Sequence, residues 1–398
     1  MLVRSDTHVE QLDLLRGLAI VLMIVNHAGV RLLDPKLQSA GPLAALVFLG
    51  SFAPVLFYLT TGFGVGIGKH SVDLAGFRSA LLKAGLLAVA DQFLFWKNGE
   101  PWGMDFLGFI AFSTVLVTAI RASISPVAVC VALIGSVITL RFGFGPWLAR
   151  HYQLPGVVVW LVGVEEIDNV IYPFSPWIVY PLLGFVLARG YQGIASSFAT
   201  LLWSRLDAVA IGALVLAAVL HGAHAIFFRW GTMSFAFFVL SLGVASVCVL
   251  AVWWMAVRWP LVSRLLSLRG ITSLAAVPIH YALIELFAAW GVAQRGGVPA
   301  VALIAALIAS SVVLSRAFAS GVRRWISEST HAGAWYVLGT VVALCGAVSW
   351  LQPRQPHVVF AAFVGGQLAI AALLAARDRP RASVAATDAL QIQRPCCS

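Results

Sequence analysis

The chain has 398 residues, 61% of them hydrophobic and only 11% charged, with a mean hydropathy of +0.93. A soluble domain carries roughly 25% charged and 45–50% apolar residues, so this composition excludes a soluble enzyme with a membrane anchor and any disordered or fibrous chain. The net charge of +10 and pI near 9.8 would suggest nucleic acid in a soluble chain. Here the basic residues sit in short loops between apolar spans, which makes them orientation signals and leaves no nucleic-acid partner expected.

A bilayer core asks for about 20 apolar residues per helix. The pattern predicts an all-α, polytopic transmembrane helical bundle of twelve spans: 12–33, 42–67, 78–96, 104–120, 124–141, 174–190, 206–228, 233–256, 271–293, 298–318, 333–351 and 358–376. With the N-terminus inside, sixteen of the 26 Lys and Arg residues fall in inner loops and tails and eight in outer loops; Arg16 and Lys83 lie within spans. That bias predicts cytoplasmic N- and C-termini and a multi-pass protein of the cell membrane. Residues 377–398 read as a polar, disordered cytoplasmic tail ending in Cys396, Cys397 and Ser398, inert unless palmitoylated.

The first span carries the sharpest signal, QLDLLRGLAIVLMIVNHAGV over 11–30. Ionisable side chains inside a membrane helix are costly and usually functional. Arg16 and His27 are eleven residues apart, which at 100° per residue is about 20° past three full turns, with a rise of about 16 Å. Asp13 lies about 40° from the same line. One polar stripe therefore runs from Asp13 and Arg16 near the inner surface to His27 in the outer half. A ligand with a phosphate head and a long thin arm fits that stripe, and coenzyme A thioesters have this shape. A neutral imidazole at the tip can take a proton from an incoming hydroxyl or amine, or accept the acyl group. Asn26 stands beside it to orient the site. The plainer reading is a snorkelling arginine and a packed, hydrogen-bonded histidine.

Further along, Gly62, Gly64, Gly66 and Gly68 form two overlaid small-xxx-small pairs, 62/66 and 64/68, and predict close helix approach rather than a nucleotide loop. Asp91, His221, His224 and Glu285 fall at the depth of His27, and His280 lies near mid-span. Either Asp91 or Glu285 can be expected to hold the His27 tautomer, as a carboxylate does beside a catalytic imidazole. His221 and His224 share a face, but no third ligand has suitable spacing, so no metal is expected. The loop 142–173 mixes Trp147, Tyr152, Trp160 and Tyr172 with Glu165, Glu166 and Asp168. That mixture reads as a sugar-binding surface or as an interfacial aromatic belt. Cys130, Cys248 and Cys345 lie inside spans, with no disulfide or metal spacing.

The Arg-x10-His motif opening the first helix resembles the membrane-bound acyltransferase 3 family. The surrounding LDLLRGLAIVLMIVNH is similar to the start of bacterial proteins related to heparan-α-glucosaminide N-acetyltransferase, in the same broad superfamily. FAPVLFYLTTGFGVGIGKH (52–70), SPWIVYPLLGFVLARG (175–190) and SLAAVPIHYALIELF (273–287) resemble later elements of that group. The resemblance implies a ten-helix core over 1–330 with a transmembrane pair, 331–376, appended. It implies acyl transfer from cytoplasmic acyl-CoA, with acetyl-CoA the expected donor, to a glycan or similar acceptor outside, with Arg16 and His27 essential. Where the family carries an Arg-rich run after the second helix, this chain has Lys69, His70, Arg78 and Lys83, and these with Arg16 become the candidates for the CoA phosphates. The histidine of the eukaryotic relatives stands elsewhere, so amino-sugar acetylation does not follow from the motif.

The expected activity is an acyl-CoA-dependent O- or N-acyltransferase, with His27, Arg16, Asn26, Asp13, Asp91, His280 and Glu285 as candidate catalytic residues. Lipid, acyl-CoA and a polar acceptor are its expected partners, and a homodimer is compatible with the sequence. Twelve spans with both ends inside also suit a secondary transporter or lipid-linked sugar flippase, although polar density in spans one to three has no match in seven to nine. A non-catalytic partner of such an enzyme is a third reading.

Overall fold

A computed structural model describes residues 9–39, 41–68, 73–193, 197–222, 233–291, 298–351 and 355–377. Among them the chain is helical throughout, with two isolated β-bridges at Met104–Val170 and Ile167–Val170. Each predicted span meets a helix: α1 (Glu10–Leu32), α2 (Gly41–Gly66), α3 (Leu74–Lys97), α4 (Phe106–Arg121), α5 (Pro126–His151) and α6 (Val179–Tyr191) in the first half. The second half holds α7 (Leu206–Gly222), α8 (Phe235–Arg258), α9 (Ile271–Ala289), α10 (Val298–Glu328), α11 (His331–Leu351) and α12 (Pro356–Arg377). Among the described residues nine are long and apolar enough to cross a bilayer, or ten if the short helix before α7, bent by 70° against it, counts with it. Helix α4 has 16 residues and α6 has 13, both short of the roughly 20 that a crossing asks for.

The termini of the helices follow local chemistry. Glu10 and Asp13 lie in the first turn of α1 and Arg31 in its last, matching the helix dipole at both ends. The Asp73 side chain caps α3 by accepting from the Gly76 N–H at 2.7 Å. Helix α5 runs ten residues past its predicted end at 141 because a π-helical turn, Thr139–Phe144, carries the backbone through Gly143. The expected long outer loop is correspondingly shorter. Its Trp147 and Tyr152 are exposed, whereas Tyr172 is buried against Tyr58 and Trp177.

Helices α1 and α2 form the centre, and α6 packs along the second half of α2. Glycine permits that approach. A Cβ on Gly62 would overlap the Pro181 carbonyl, and one on Gly184 would overlap the carbonyl of Leu59. The 62/66 pair is thus a packing seam. Gly64 faces elsewhere, with its added Cβ 3.4 Å from the Arg16 guanidinium.

The last two helices differ from each other. Only 11% of the apolar window of α11 is buried, against 61% for α12, which packs on α3 and α9. Helix α11 is thus largely uncovered, whereas α12 is packed into the bundle. An apolar helix without charges looks peripheral in sequence, yet Phe363 and Ile370 of α12 close a second hydrophobic cluster with Leu87 and Phe93. Residues 378–398, the predicted tail with Cys396 and Cys397, lie outside the described residues.

Candidate active site

Two cavities lie end to end along α1. One, of about 490 Å³, is lined by Asn26, His27, Asp91, Asp105, Tyr281, Glu285 and Gln367. The other, of about 750 Å³, is lined by Asp13, Arg16, Gly64, Lys83, Arg269 and Arg323. Both volumes fall in the range that holds small molecules and cofactors. Phe57, Phe106, Leu107 and Val277 line both. They form a common apolar wall in which the rings of Phe57 and Phe106 meet edge to face, 4.8 Å between centroids. The sequence predicted one conduit from Arg16 to His27. Arg16 lines one cavity and His27 the other, and the two adjoin at these four shared residues.

His27 is held from α9. Its Nδ1 lies 2.8 Å from Nε2 of His280, the two rings meeting edge to edge within 21° of coplanar with centroids 5.1 Å apart, and the Tyr281 ring lies tilted against it at 4.9 Å. His280 is fully buried, and its Nδ1 lies 2.9 Å from the Ala276 carbonyl. One turn further, Arg31 reaches Glu285 through two hydrogen bonds of 3.1 Å. Asn26 donates to the Val47 carbonyl at 3.1 Å and lies 3.4 Å from the Ser51 hydroxyl, which ties α1 to the break in α2.

The expected carboxylate partner of His27 is corrected by this geometry. Asp91 accepts from the backbone N–H groups of Asp105 at 2.8 Å and Leu107 at 3.1 Å. It serves the start of α4, where free backbone donors need an acceptor. Glu285 is engaged by Arg31. The hydrogen-bond partner is His280, reached because α9 packs against α1.

In the basic cavity Arg16 donates to Asp13 at 2.8 Å. Asp13 is only 2% exposed, so the pair offsets part of the cost of burying its charge. The segment before α9 folds over this end: the Leu268 N–H donates to the Asp13 carbonyl at 3.2 Å, and Gly17 leaves room for the Leu266 carbonyl. That docking brings Arg269 to the cavity. Arg316 of α10 steadies the segment by donating to the carbonyls of Arg264 and Leu265 at 2.9 and 2.7 Å. Arg323, two turns beyond, lines the same cavity.

Of the residues singled out in sequence, Arg16, Asp13 and Lys83 share the basic cavity, and His27, Asn26, Asp91 and Glu285 the other. His280 stands behind His27. Arg78 is exposed near the start of α3 and lines neither cavity; Lys69, His70 and His224 lie outside the described residues. His221 is exposed at the end of α7, away from His27. Among the described residues no three His, Cys, Asp or Glu side chains gather as a metal site.

Sequence reasoning missed Asp105, Tyr281, Gln367, Arg269 and Arg323. Gln367 had a signal, a polar amide in an apolar span; it donates to the Ala90 carbonyl at 2.9 Å and its side-chain oxygen has no partner. Arg269 and Arg323 were absorbed into the count of inner charges, which records sign and not position.

A many-helix membrane protein with a basic cavity and a histidine cavity back to back is the class defined here. Residues 8–228 match the family model for the catalytic domain of heparan-alpha-glucosaminide N-acetyltransferase. The match spans more than half of the chain, and the protein belongs to this family of membrane acetyltransferases. No curated protein and no solved structure matches it. His280, Glu285, Arg269, Arg323 and Gln367 come from the half beyond the matched residues.

Proposed function

We propose that the protein transfers an acetyl group from cytoplasmic acetyl-CoA to a hydroxyl or amine of a glycan or related acceptor on the far side of the cell membrane. The observation that carries this reading is the back-to-back pair of cavities, with a cation and an imidazole of one helix on opposite sides of a shared apolar wall. Arg16, Lys83, Arg269 and Arg323 supply the charge that a nucleotide diphosphate and its 3′-phosphate require. The same charges support a cytoplasmic side for that end, in keeping with the sequence expectation for both termini. The other cavity offers carboxylate, amide and phenol groups beside His27, a lining suited to a polyhydroxylated or amino acceptor.

In this mechanism CoA lies in the basic cavity with its arm directed at the wall of Phe57, Phe106, Leu107 and Val277. The thioester carbonyl is presented past the wall to His27. The acceptor O–H or N–H gives its proton to the imidazole while the oxygen or nitrogen attacks the carbonyl carbon. The C–S bond breaks, and the CoA thiolate takes the proton from His27. Holding the thioester beside the acceptor makes the attack effectively intramolecular.

The test incubates purified protein in proteoliposomes with radiolabelled acetyl-CoA and candidate glycan acceptors, and follows label into the acceptor. Wild-type protein is expected to transfer label, and His27→Ala to insert normally and transfer none. Undiminished transfer by purified His27→Ala overturns the assignment. Acceptor movement across the bilayer without acetyl-CoA would favour a transporter instead.

A further inference from the structure

We infer that His280 is the positioning residue that selects the tautomer of His27 and leaves Nε2 of His27 as the bare nitrogen facing the acceptor. The inference rests on the proposed acetyl transfer for its catalytic meaning, but its structural content stands on hydrogen-bond direction alone.

The argument starts at a backbone carbonyl. The Ala276 oxygen can only accept, so Nδ1 of His280, 2.9 Å away, carries a hydrogen. In a neutral imidazole the other nitrogen is then an acceptor, which makes Nε2 of His280 a lone pair. Nδ1 of His27 lies 2.8 Å from that lone pair and must donate to it. His27 therefore carries its hydrogen on Nδ1, and its Nε2 is unprotonated. A second proton on His280 would reverse the last bond, but it would set a positive charge in a fully buried site whose other neighbour is the Tyr281 ring. Among the described residues no carboxylate contacts His280 to compensate it.

The chain of bonds does for His27 what a buried carboxylate does in a serine hydrolase: it fixes the tautomer and aims the free nitrogen. It differs in carrying no charge, which suits a site at membrane depth where a lone carboxylate is costly. Pro278 lies between Ala276 and His280 inside α9. Its missing N–H leaves the Leu274 carbonyl without a helical donor and loosens the turn before Ala276, whose own carbonyl accepts from the His280 side chain. In the transfer step the proton arrives on Nε2 of His27 and departs from it to the CoA sulfur, while the hydrogen on Nδ1 stays shared with His280 throughout.

The test has two arms on the full-length protein. Nitrogen-15 NMR of histidine-labelled protein, with His27 assigned through a His27→Gln variant, reads the tautomer without any activity. The expected result is a protonated Nδ1 and a bare Nε2 on His27; a protonated Nε2 overturns the inference even if acetyl transfer is found. Kinetics form the second arm. His280→Leu removes the acceptor and is expected to lower kcat at least about 100-fold, toward the loss seen when a wrong tautomer is enforced, with the KM for acetyl-CoA within about threefold. His280→Gln, which carries an amide oxygen to a similar reach, is expected to recover at least about tenfold of that loss. Equal damage from both variants, or a His280→Leu enzyme with kcat within threefold of wild type, overturns the positioning role. Failure of wild-type protein to transfer any acetyl group would sink the proposed reaction, while the NMR result would still decide the tautomer.

Discussion

Arg31 and Glu285 grip each other through two parallel hydrogen bonds of 3.1 Å, one turn beyond the contact of His27 with His280, so α1 and α9 are joined twice along one line. The two joints differ in kind. The histidines are inside the protein, whereas the Arg31 and Glu285 side chains are 59% and 41% exposed. An exposed ion pair contributes at most about 1 kcal/mol. Glu285→Gln is therefore expected to change kcat/KM less than about fivefold and to shift thermal unfolding only slightly. A 100-fold loss of transfer would move Glu285 from a clasp into the chemistry.

Asp13 and Arg16 make a different prediction. Removing the guanidinium takes an ion-pair partner 2.8 Å away from the Asp13 carboxylate, which is 2% exposed. Arg16→Met is expected to destabilise the protein by roughly 1–3 kcal/mol, less than a fully buried pair because Arg16 is partly exposed. Adding Asp13→Leu to Arg16→Met is expected to restore most of the stability but not the activity. Thermal unfolding in detergent and the KM for acetyl-CoA separate the two effects; a double variant no more stable than the single one would refute the account.

Arg269 and Arg323 reach the basic cavity from outside the residues that match the family. Each contact with a phosphate is worth roughly 1–2 kcal/mol in a solvated rim. Arg269→Ala and Arg323→Ala are each expected to raise the KM for acetyl-CoA about fivefold to 30-fold, with kcat little changed. The penalty should shrink at high salt, because screening already weakens the lost attraction in the wild type. Steady-state kinetics at two ionic strengths check this, and an unchanged KM in both variants would exclude them from donor binding.

Gly62 and Gly64 are two residues apart and face different neighbours. A methyl at 62 meets the Pro181 backbone, which cannot move aside without parting α2 from α6, whereas a methyl at 64 stands 3.4 Å from the tip of Arg16. Gly62→Ala is expected to cost about 1–3 kcal/mol. Gly64→Ala is expected to fold normally and to alter the KM for acetyl-CoA. Comparable folding yields and unfolding temperatures for the two variants would contradict this division.

Much was legible before any coordinates. Apolar runs of membrane length read directly as helices, because a bilayer leaves the backbone few other ways to satisfy its hydrogen bonds. The stripe of Asp13, Arg16 and His27 was equally legible, since helical periodicity alone decides which residues of one helix share a face. The motif around it led to the correct family. Helix ends were less legible: the π-helical turn at Thr139–Phe144 carries α5 to His151, ten residues past the end of the predicted span at 141.

Partnership between helices is where linear reasoning ran out. Depth matched Asp91 and Glu285 to His27, yet depth says nothing about azimuth, and the rotation of α3 and α9 turns Asp91 to the start of α4 and Glu285 to Arg31. His280 meets His27 across 253 positions of sequence, a distance over which no period or spacing carries information. The apolar α12 entered the walls of both cavities for the same reason. Periodicity governs what one helix displays; side-chain packing between helices, which depends on the shapes of both surfaces at once, chose which displayed groups meet.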